Sequence, residues 1–245
     1  GEISELLSYY GFLVFSLVTL LYCRFVEKKN IKFVGFSGNP IEYLAGALVA
    51  TILLFIILGI GCLCGSISFY GFSTNVNIKS ILLWILAFGI QGATEEIMCR
   101  GFLLNSLKNR ISIPLAILIS STAFVFPHLS SLIEADFVYA VVGIINLYLV
   151  SITFSILVLW RCNIWIACGL HSAWNFILYV IMGLTLNGSE SVLKGVVLFS
   201  VKDTSILNGA DYGIEASVIT AVVLGMLLFV MVKGWKGRIG KDGIS

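Results

Sequence analysis

Long apolar runs dominate the chain, and short polar stretches separate them. Seven runs are long enough to be membrane spans: 4–23, 41–63, 80–107, 113–130, 137–160, 163–184 and 214–233. Each run is continuously apolar over about 20 residues, which is the length of helix that crosses the hydrocarbon core of a bilayer. A transmembrane β-barrel would alternate apolar and polar residues instead. The pattern predicts an all-α, polytopic transmembrane bundle of about seven spans.

Two places depart from this simple pattern. In the third run, charged residues interrupt the hydropathy between Glu95 and Arg100. No proline ends the helix there, so one long helix is expected. Between the sixth and seventh runs, residues 192–201 are largely apolar but too short to cross a membrane. We expect a re-entrant element, an interfacial element or a small hairpin at that position.

The composition agrees with a membrane protein. Hydrophobic residues make up 59% of the 245 residues and charged residues only 11%, whereas soluble domains contain roughly 25% charged residues. The mean hydropathy is +1.03. Because no repeat or soluble segment is found, we expect one membrane-embedded domain over residues 1–245, with its chemistry within about 80–180. The net charge of +2 gives no indication of nucleic-acid binding.

The positions of lysine and arginine predict the orientation in the membrane. With seven alternating spans, twelve of the 15 basic residues fall on one side: Arg24, Lys28, Lys29, Lys32, Arg100, Lys108, Arg110, Arg161, Lys233, Lys236, Arg238 and Lys241. Lys79, Lys194 and Lys202 fall on the other side. Because basic residues concentrate on the cytoplasmic side, we expect a multi-pass cell-membrane protein with its N-terminus outside and its C-terminus in the cytoplasm. The first run lacks a basic leader and is interpreted as a true span, not a signal peptide.

The charged interruption of the third run is the strongest indication of function. Glu95, Glu96 and Arg100 lie in an apolar segment, where one ionised group costs about 2.5–3.5 kcal/mol. Glu96 and Arg100 are four residues apart with the acid first, which is the favourable order for an ion pair on a helix. Glu95 points about 100° away from Glu96. The spacing therefore predicts a structural pair between Glu96 and Arg100, and it leaves Glu95 as a desolvated carboxylate suited to general-base catalysis.

Both histidines of the chain also fall inside predicted spans. His128 follows Phe124 by four residues, and Asn175 follows His171 by four, so that His171 and Asn175 share a helix face. At 1.5 Å per residue, Glu95 and His128 both lie about 24 Å from the turn that joins their spans, whereas His171 lies only about 14 Å from its own turn. We expect Glu95 and His128 at one level, and His171 at a shallower level from which helix tilt or a bend brings it to them.

Each of these residues taken alone has an ordinary explanation. A histidine or asparagine in a membrane commonly joins two helices by a hydrogen bond, and the six cysteines lie in or beside apolar runs, where cysteine packs as a small hydrophobe. Two histidines, a spare carboxylate and an amide at compatible spacing favour a functional site. A zinc centre stays open as an alternative, because two histidines and a carboxylate can hold zinc, although the helical His-Glu-x-x-His pattern is missing. A proton-coupled transporter is less favoured, because no inverted repeat is found.

Three short motifs follow one another in order within the apolar spans. They are Glu95-Glu96-x-x-x-Arg100, Phe124-x-x-x-His128 and His171-x-x-x-Asn175. In this order they resemble the motifs of the type II CAAX prenyl protease family, also called the CPBP or Abi family, which consists of intramembrane glutamic endopeptidases. The resemblance covers about residues 80–180.

The resemblance implies roles for the motif residues. Glu95 would be the general base that activates water, assisted by His128, and His171 with Asn175 would stabilise the oxyanion. The supporting residues would be Glu96, Arg100 and Phe124. No cofactor is expected, with zinc as the less favoured alternative.

The same resemblance implies a function and partners. The chain would hydrolyse peptide bonds of membrane-associated peptides or proteins, in peptide maturation or in self-immunity to bacteriocins. Its partners would be that substrate and the lipid bilayer, with no nucleic acid. The sequence has no feature that recognises a prenyl group. A non-catalytic immunity or scaffold protein is the alternative function, in which the polar cluster only holds the helices together.

Overall fold

The protein is a bundle of helices with one small β-sheet. The computed structural model describes residues 1–202 and 204–242, with side chains in these ranges up to Trp235. The side chains of Lys236, Arg238 and Lys241, on which the predicted orientation partly rests, and residues 243–245 of the predicted domain lie outside this description. The seven main helices are α1 Glu2–Phe25, α2 Glu42–Leu63, α3 Ile78–Leu107, α4 Ile113–Ile133, α5 Phe137–Arg161, α6 Trp165–Ile181 and α7 Val218–Asp242.

Six of these helices are long and apolar enough to cross a membrane, counted over the residues that the structure describes. The exception is α6, which corresponds to the predicted span 163–184 and is shorter than the roughly 20 residues that a span needs. The predicted helical membrane bundle is therefore confirmed, with six full-length helices and one short helix. The chain is an integral multi-pass membrane protein.

The apolar segment near residues 192–201 forms a strand. Strand β1, Ile67–Phe72, pairs antiparallel with strand β2, Val197–Val201, and Ser68 lies opposite Ser200. The rings of Phe69 and Phe199 contact each other across this sheet, with centroids 5.7 Å apart. This small sheet is an addition to the predicted helical bundle. The partner of the segment near 192–201 comes from a distant part of the chain and not from a local hairpin.

The third helix is continuous, as predicted, but its hydrogen-bond pattern changes. From Ile97 to Leu104 it is π-helical, which adds an extra residue to each turn and widens the helix directly after Glu96. Helix α4 also changes its hydrogen-bond pattern, but there it becomes tighter. A 3-10 turn spans Phe126–His128 and contains Pro127, which has no N–H to donate. Both irregular segments lie in the predicted catalytic motifs.

The short helix α6 packs closely between α2 and α3. A Cβ atom on Gly169 would lie 1.9 Å from the carbonyl oxygen of Tyr43 in α2. A Cβ atom on Gly92 of α3 would lie 2.6 Å from Ser172 Oγ in α6. Small residues at these points let the helix backbones approach, which is the usual way in which membrane helices associate. The close packing brings the polar residues of α3 and α6 within hydrogen-bonding distance.

Candidate active site

His171 lies between the two glutamates of α3. Its Nδ1 is 3.0 Å from Glu96 Oε1, and its Nε2 is 3.8 Å from Glu95 Oε2. The shallower level expected for His171 does not keep it away from the carboxylates, because α6 meets α3 at the close contact of Gly92 with Ser172. The structure therefore brings together two of the predicted motifs around one imidazole ring.

The predicted ion pair between Glu96 and Arg100 is confirmed. Arg100 Nη1 donates to Glu96 Oε1 at 2.9 Å, and both side chains are fully buried, with 0% exposure. Arg100 Nη2 donates to the carbonyl oxygen of Ser151 at 3.1 Å and to its Oγ at 2.6 Å. The guanidinium carbon lies 4.5 Å from the ring centroid of Phe124 and 5.3 Å from that of Phe154. The pair thus joins α3 to α5, and the aromatic rings separate it from its surroundings.

Glu95 is not part of this ion pair, in agreement with the prediction from its position on the helix. Its Oε1 accepts a hydrogen bond from Gln91 Nε2 at 2.5 Å. Gln91 Oε1 in turn accepts from Asn175 Nδ2 at 2.8 Å. The Oε2 atom of Glu95 is buried and has no hydrogen-bond partner among the described residues. One carboxylate oxygen is therefore held in place, while the other keeps free lone pairs beside His171.

Gln91 was missed in the sequence reasoning, although a signal for it exists. It precedes Glu95 by four residues and so lies on the same face of α3. Its amide links the carboxylate of Glu95 to the amide of Asn175. Gln91 therefore sets the orientation of two predicted catalytic side chains.

One ring nitrogen of His128 has no hydrogen-bond partner among the residues that the structure describes. Its Nδ1 lies 2.9 Å from the carbonyl oxygen of Phe124. A carbonyl oxygen can only accept, so Nδ1 carries the hydrogen and Nε2 of the neutral ring carries a lone pair. Among the described residues, no hydrogen bond or ion pair joins His128 to Glu95. The expected assistance of Glu95 by His128 is therefore not present as a direct contact.

The candidate residues surround a small cavity between α4, α5, α6 and α7. Its wall contains His128, His171 and Asn175, together with Phe124. The volume accessible to water is about 40 Å³, which is room for about three water molecules. Glu95 lies next to this cavity, behind His171, and not in its wall. A water molecule in this cavity can therefore lie next to the imidazole rings, and Glu95 approaches the cavity where its Oε2 lies 3.8 Å from His171 Nε2.

Glu215 is a second carboxylate at this cavity, and sequence reasoning did not single it out. It lies in the 3-10 turn Ile214–Ala216 before α7. Its Oε1 accepts from Trp174 Nε1 at 3.0 Å, and its Oε2 accepts from the backbone N–H of Asn187 at 2.7 Å. Burial raises the pKa of Glu215 above its ordinary value, while these two hydrogen bonds lower it by a smaller amount. The only signal in the sequence was an isolated acid at the start of the last apolar run.

The site offers proton acceptors and hydrogen-bond donors at one place. The acceptors are Glu95 Oε2 and His128 Nε2. Asn175 uses one amide hydrogen for Gln91 and has a second one to donate. Within the described part of the chain, no three His, Cys, Asp or Glu side chains are arranged to hold a metal ion. Such a set of groups is suited to activating water and stabilising a negatively charged oxygen.

Comparison with known families agrees with the motifs. Residues 77–177 match the family described as type II CAAX prenyl endopeptidase, Rce1-like. The match covers fewer than half of the 245 residues and contains every motif residue from Glu95 to Asn175. It does not reach Asn187 or Glu215. No curated protein matches the chain. The resemblance stated from the three motifs is thereby confirmed for this part of the chain.

Proposed function

We propose that this chain, whose residues 77–177 are similar to type II CAAX prenyl endopeptidases, is an intramembrane endopeptidase. It hydrolyses peptide bonds of membrane-associated peptides or proteins with water activated by a glutamate. The observation that carries the proposal is the carboxylate of Glu95, which has one oxygen held by Gln91 and the other buried without a partner beside His171. Glu96 also has one oxygen without a hydrogen-bond partner among the described residues, but its other oxygen is paired with the charge of Arg100. Glu95 accepts its hydrogen bond from the neutral amide of Gln91, so its charge and its free lone pair are available to a general base.

In the first step, Glu95 Oε2 takes a proton from a water molecule. The water oxygen then bonds to the carbonyl carbon of the substrate, and the carbonyl π electrons move to the carbonyl oxygen. His128 Nε2, with its lone pair directed away from the Phe124 carbonyl, is a second acceptor that helps to orient this water. The step requires no serine or cysteine nucleophile.

The negatively charged oxygen formed in this step needs donors that are already in place. Asn175 donates its second amide hydrogen, since Gln91 holds the first. When both ring nitrogens of His171 carry a hydrogen, Nε2 donates to the negatively charged oxygen of the substrate. Nδ1 meanwhile keeps its hydrogen bond to Glu96 Oε1 at 3.0 Å. Each such donor in a dry site contributes roughly 3–4 kcal/mol to transition-state stabilisation. The buried pair of Glu96 and Arg100 holds this ring and the catalytic helix in position.

In the second step, the tetrahedral carbon re-forms its carbonyl and the carbon–nitrogen bond breaks. The leaving nitrogen takes the proton from Glu95, so that a carboxylic acid and an amine are produced. The glutamate returns to its ionised form, and no group is consumed. The small volume of the cavity favours a single peptide group at the site, because about 40 Å³ of accessible space holds roughly three non-hydrogen atoms of water size.

The biological setting rests on the motif resemblance alone. We propose peptide maturation or self-immunity to bacteriocins as the role of the cleavage. The name of the matched family refers to prenylated substrates, but we propose only a membrane-associated peptide, because no feature of this chain singles out a prenyl group.

The experiment that tests the function uses purified protein in lipid bilayers and a library of membrane-anchored peptides. Products are identified by mass spectrometry. We expect cleavage by the wild-type protein, none by Glu95→Gln, and normal cleavage by Glu134→Gln, in which an exposed glutamate at the end of α4 undergoes the same chemical change. Folded Glu95→Gln protein that cleaves at the wild-type rate would exclude the mechanism. Absence of any cleavage by the wild-type protein would favour the immunity or scaffold function.

We also propose that the N-terminus lies outside and the C-terminus in the cytoplasm. With this orientation, the end of α2 faces outside and the end of α5 faces the cytoplasm. Exposed cysteines lie near these two ends, Cys64 and Cys162. A membrane-impermeant maleimide on intact cells should label Cys64 and leave Cys162 unlabelled until the cells are opened. Matched Cys64→Ser and Cys162→Ser variants identify the labelled site, and the reverse pattern would reverse the orientation.

A further inference from the structure

Asn146 on α5 lines the catalytic cavity and has a buried acceptor without a hydrogen-bond partner among the described residues. Its side chain is only 3% exposed and lines the cavity that His171 and Asn175 also line. Its Nδ2 donates to two backbone carbonyl oxygens, that of Glu215 at 2.8 Å and that of Ser217 at 3.0 Å. Its Oδ1 is buried and has no hydrogen-bond partner among the described residues. Asn146 is not part of any of the three motifs.

The orientation of this amide is fixed by its partners. Carbonyl oxygens only accept hydrogen bonds, so the nitrogen of Asn146 has to face Glu215 and Ser217, and both of its hydrogens are used. The opposite orientation would place Oδ1 of Asn146 against the carbonyl oxygens of Glu215 and Ser217, with no hydrogen between the three atoms. Oδ1 is therefore an acceptor that the fold holds in one place, in a position where a missing hydrogen bond costs about 1–3 kcal/mol.

A bound peptide would supply the missing donor. Every peptide group brings a carbonyl oxygen and an N–H, and both have to be satisfied when the peptide leaves water. Asn175 and His171 offer donors for an oxygen, while Asn146 offers an acceptor in the same cavity. The carboxylate of Glu215 is less suited to this task, because each of its oxygens already accepts a hydrogen bond from the protein.

We propose that Asn146 Oδ1 accepts a hydrogen bond from a backbone N–H of the substrate near the scissile bond. This inference rests on the proposed endopeptidase function and adds a residue that binds the substrate main chain. It makes the site selective for an unsubstituted amide at one position of the peptide, whatever its side chain. A water molecule on Oδ1 in the absence of substrate would be displaced by this N–H.

The test removes one N–H at a time from the substrate. A reporter peptide that the wild-type protein cleaves is synthesised as a series in which an ester replaces one backbone amide, with the scissile amide left intact. At one position we expect kcat/KM of the wild-type protein to fall about tenfold, the size of one lost hydrogen bond. In Asn146→Ala the same ester should lower kcat/KM by less than about twofold.

Two further variants separate this role from a structural one. Ser217→Ala weakens the same turn before α7, since Ser217 Oγ bonds Thr220, but it leaves Asn146 Oδ1 intact and should keep the tenfold ester effect. Asn146→Leu fills a similar volume without an acceptor and should lose the ester effect as Asn146→Ala does, so it provides the test if the cavity left by Asn146→Ala prevents folding.

The outcomes distinguish a failure of the role of Asn146 from a failure of the proposed endopeptidase function. An ester pattern that is identical in the wild-type protein and Asn146→Ala would refute the role of Asn146 and show that Oδ1 binds water only, while the endopeptidase function would stand. A tenfold ester effect retained in folded Asn146→Leu would also refute the role. If the wild-type protein cleaves no peptide, the endopeptidase function fails and the inference fails with it.

Discussion

The two adjacent glutamates of α3 should respond very differently to the same substitution. Glu96→Gln removes the negative charge that faces Arg100 at 2.9 Å, where both side chains have 0% exposure. Glu95→Gln removes a charge that no arginine side chain in the described ranges contacts, and Glu95 accepts its hydrogen bond from the neutral amide of Gln91. We therefore expect Glu96→Gln to damage the fold and Glu95→Gln to damage only the chemistry.

The size of the difference follows from burial. Removal of one partner of a buried ion pair leaves the other charge uncompensated and costs about 3–5 kcal/mol. The ratio of folded to unfolded protein should therefore fall on the order of 10²- to 10⁴-fold. Glu95→Gln should change the free energy of unfolding by less than about 1 kcal/mol. The double variant Glu96→Gln with Arg100→Met should recover part of the loss, because it also removes the uncompensated charge.

The assay is unfolding in mixed detergent micelles, followed by the fluorescence of tryptophans such as buried Trp84 and Trp174. The free energy of unfolding of each variant is compared with that of the wild-type protein. Equal destabilisation by Glu95→Gln and Glu96→Gln would refute the division of the two glutamates into a catalytic and a structural residue. Failure of the double variant to regain stability would show that the loss does not come from the uncompensated arginine.

Three further predictions concern packing, pH and metal. Gly169→Ala should lower the free energy of unfolding by roughly 1–3 kcal/mol, because its Cβ would lie 1.9 Å from the Tyr43 carbonyl oxygen; in the same unfolding assay Gly59→Ala, with nothing within 4 Å, should be neutral or slightly stabilising. Burial raises the pKa of Glu215 from 4.5, so the folded state binds this proton more tightly than the unfolded state. The stability that the protonated carboxyl group of Glu215 contributes is present below its pKa in the unfolded state. This stability is lost as the pH rises through its pKa in the folded state. Relative to Glu215→Gln, the wild-type protein should therefore lose unfolding free energy with rising pH, and a relative gain would contradict this. Peptidase activity should survive strong chelators, and complete loss with recovery on added zinc would instead support a zinc-dependent protease.

Much of the helical framework and part of the site could be predicted because they depend on neighbours along the chain. Continuous apolar runs of about 20 residues can only be helices in a bilayer, since every backbone group has to be hydrogen-bonded within the helix. The pairing of Glu96 with Arg100, and the different direction of Glu95, follow from the geometry of one helix. The extra residue in each turn of the π-segment Ile97–Leu104 is not encoded in such a regular pattern and was not expected.

The sequence by itself determined which segments are helical and which polar residues share a helix face, because both depend on spacings of a few residues. Only the tertiary structure decided that His171 contacts Glu96, 75 residues away, that β2 pairs with β1, and that Asn146 and Glu215 reach the same cavity. These contacts depend on how closely two helices approach and on their relative rotation, which small residues such as Gly92 and Gly169 permit only at particular points. Spacing along one helix carries no information about that approach.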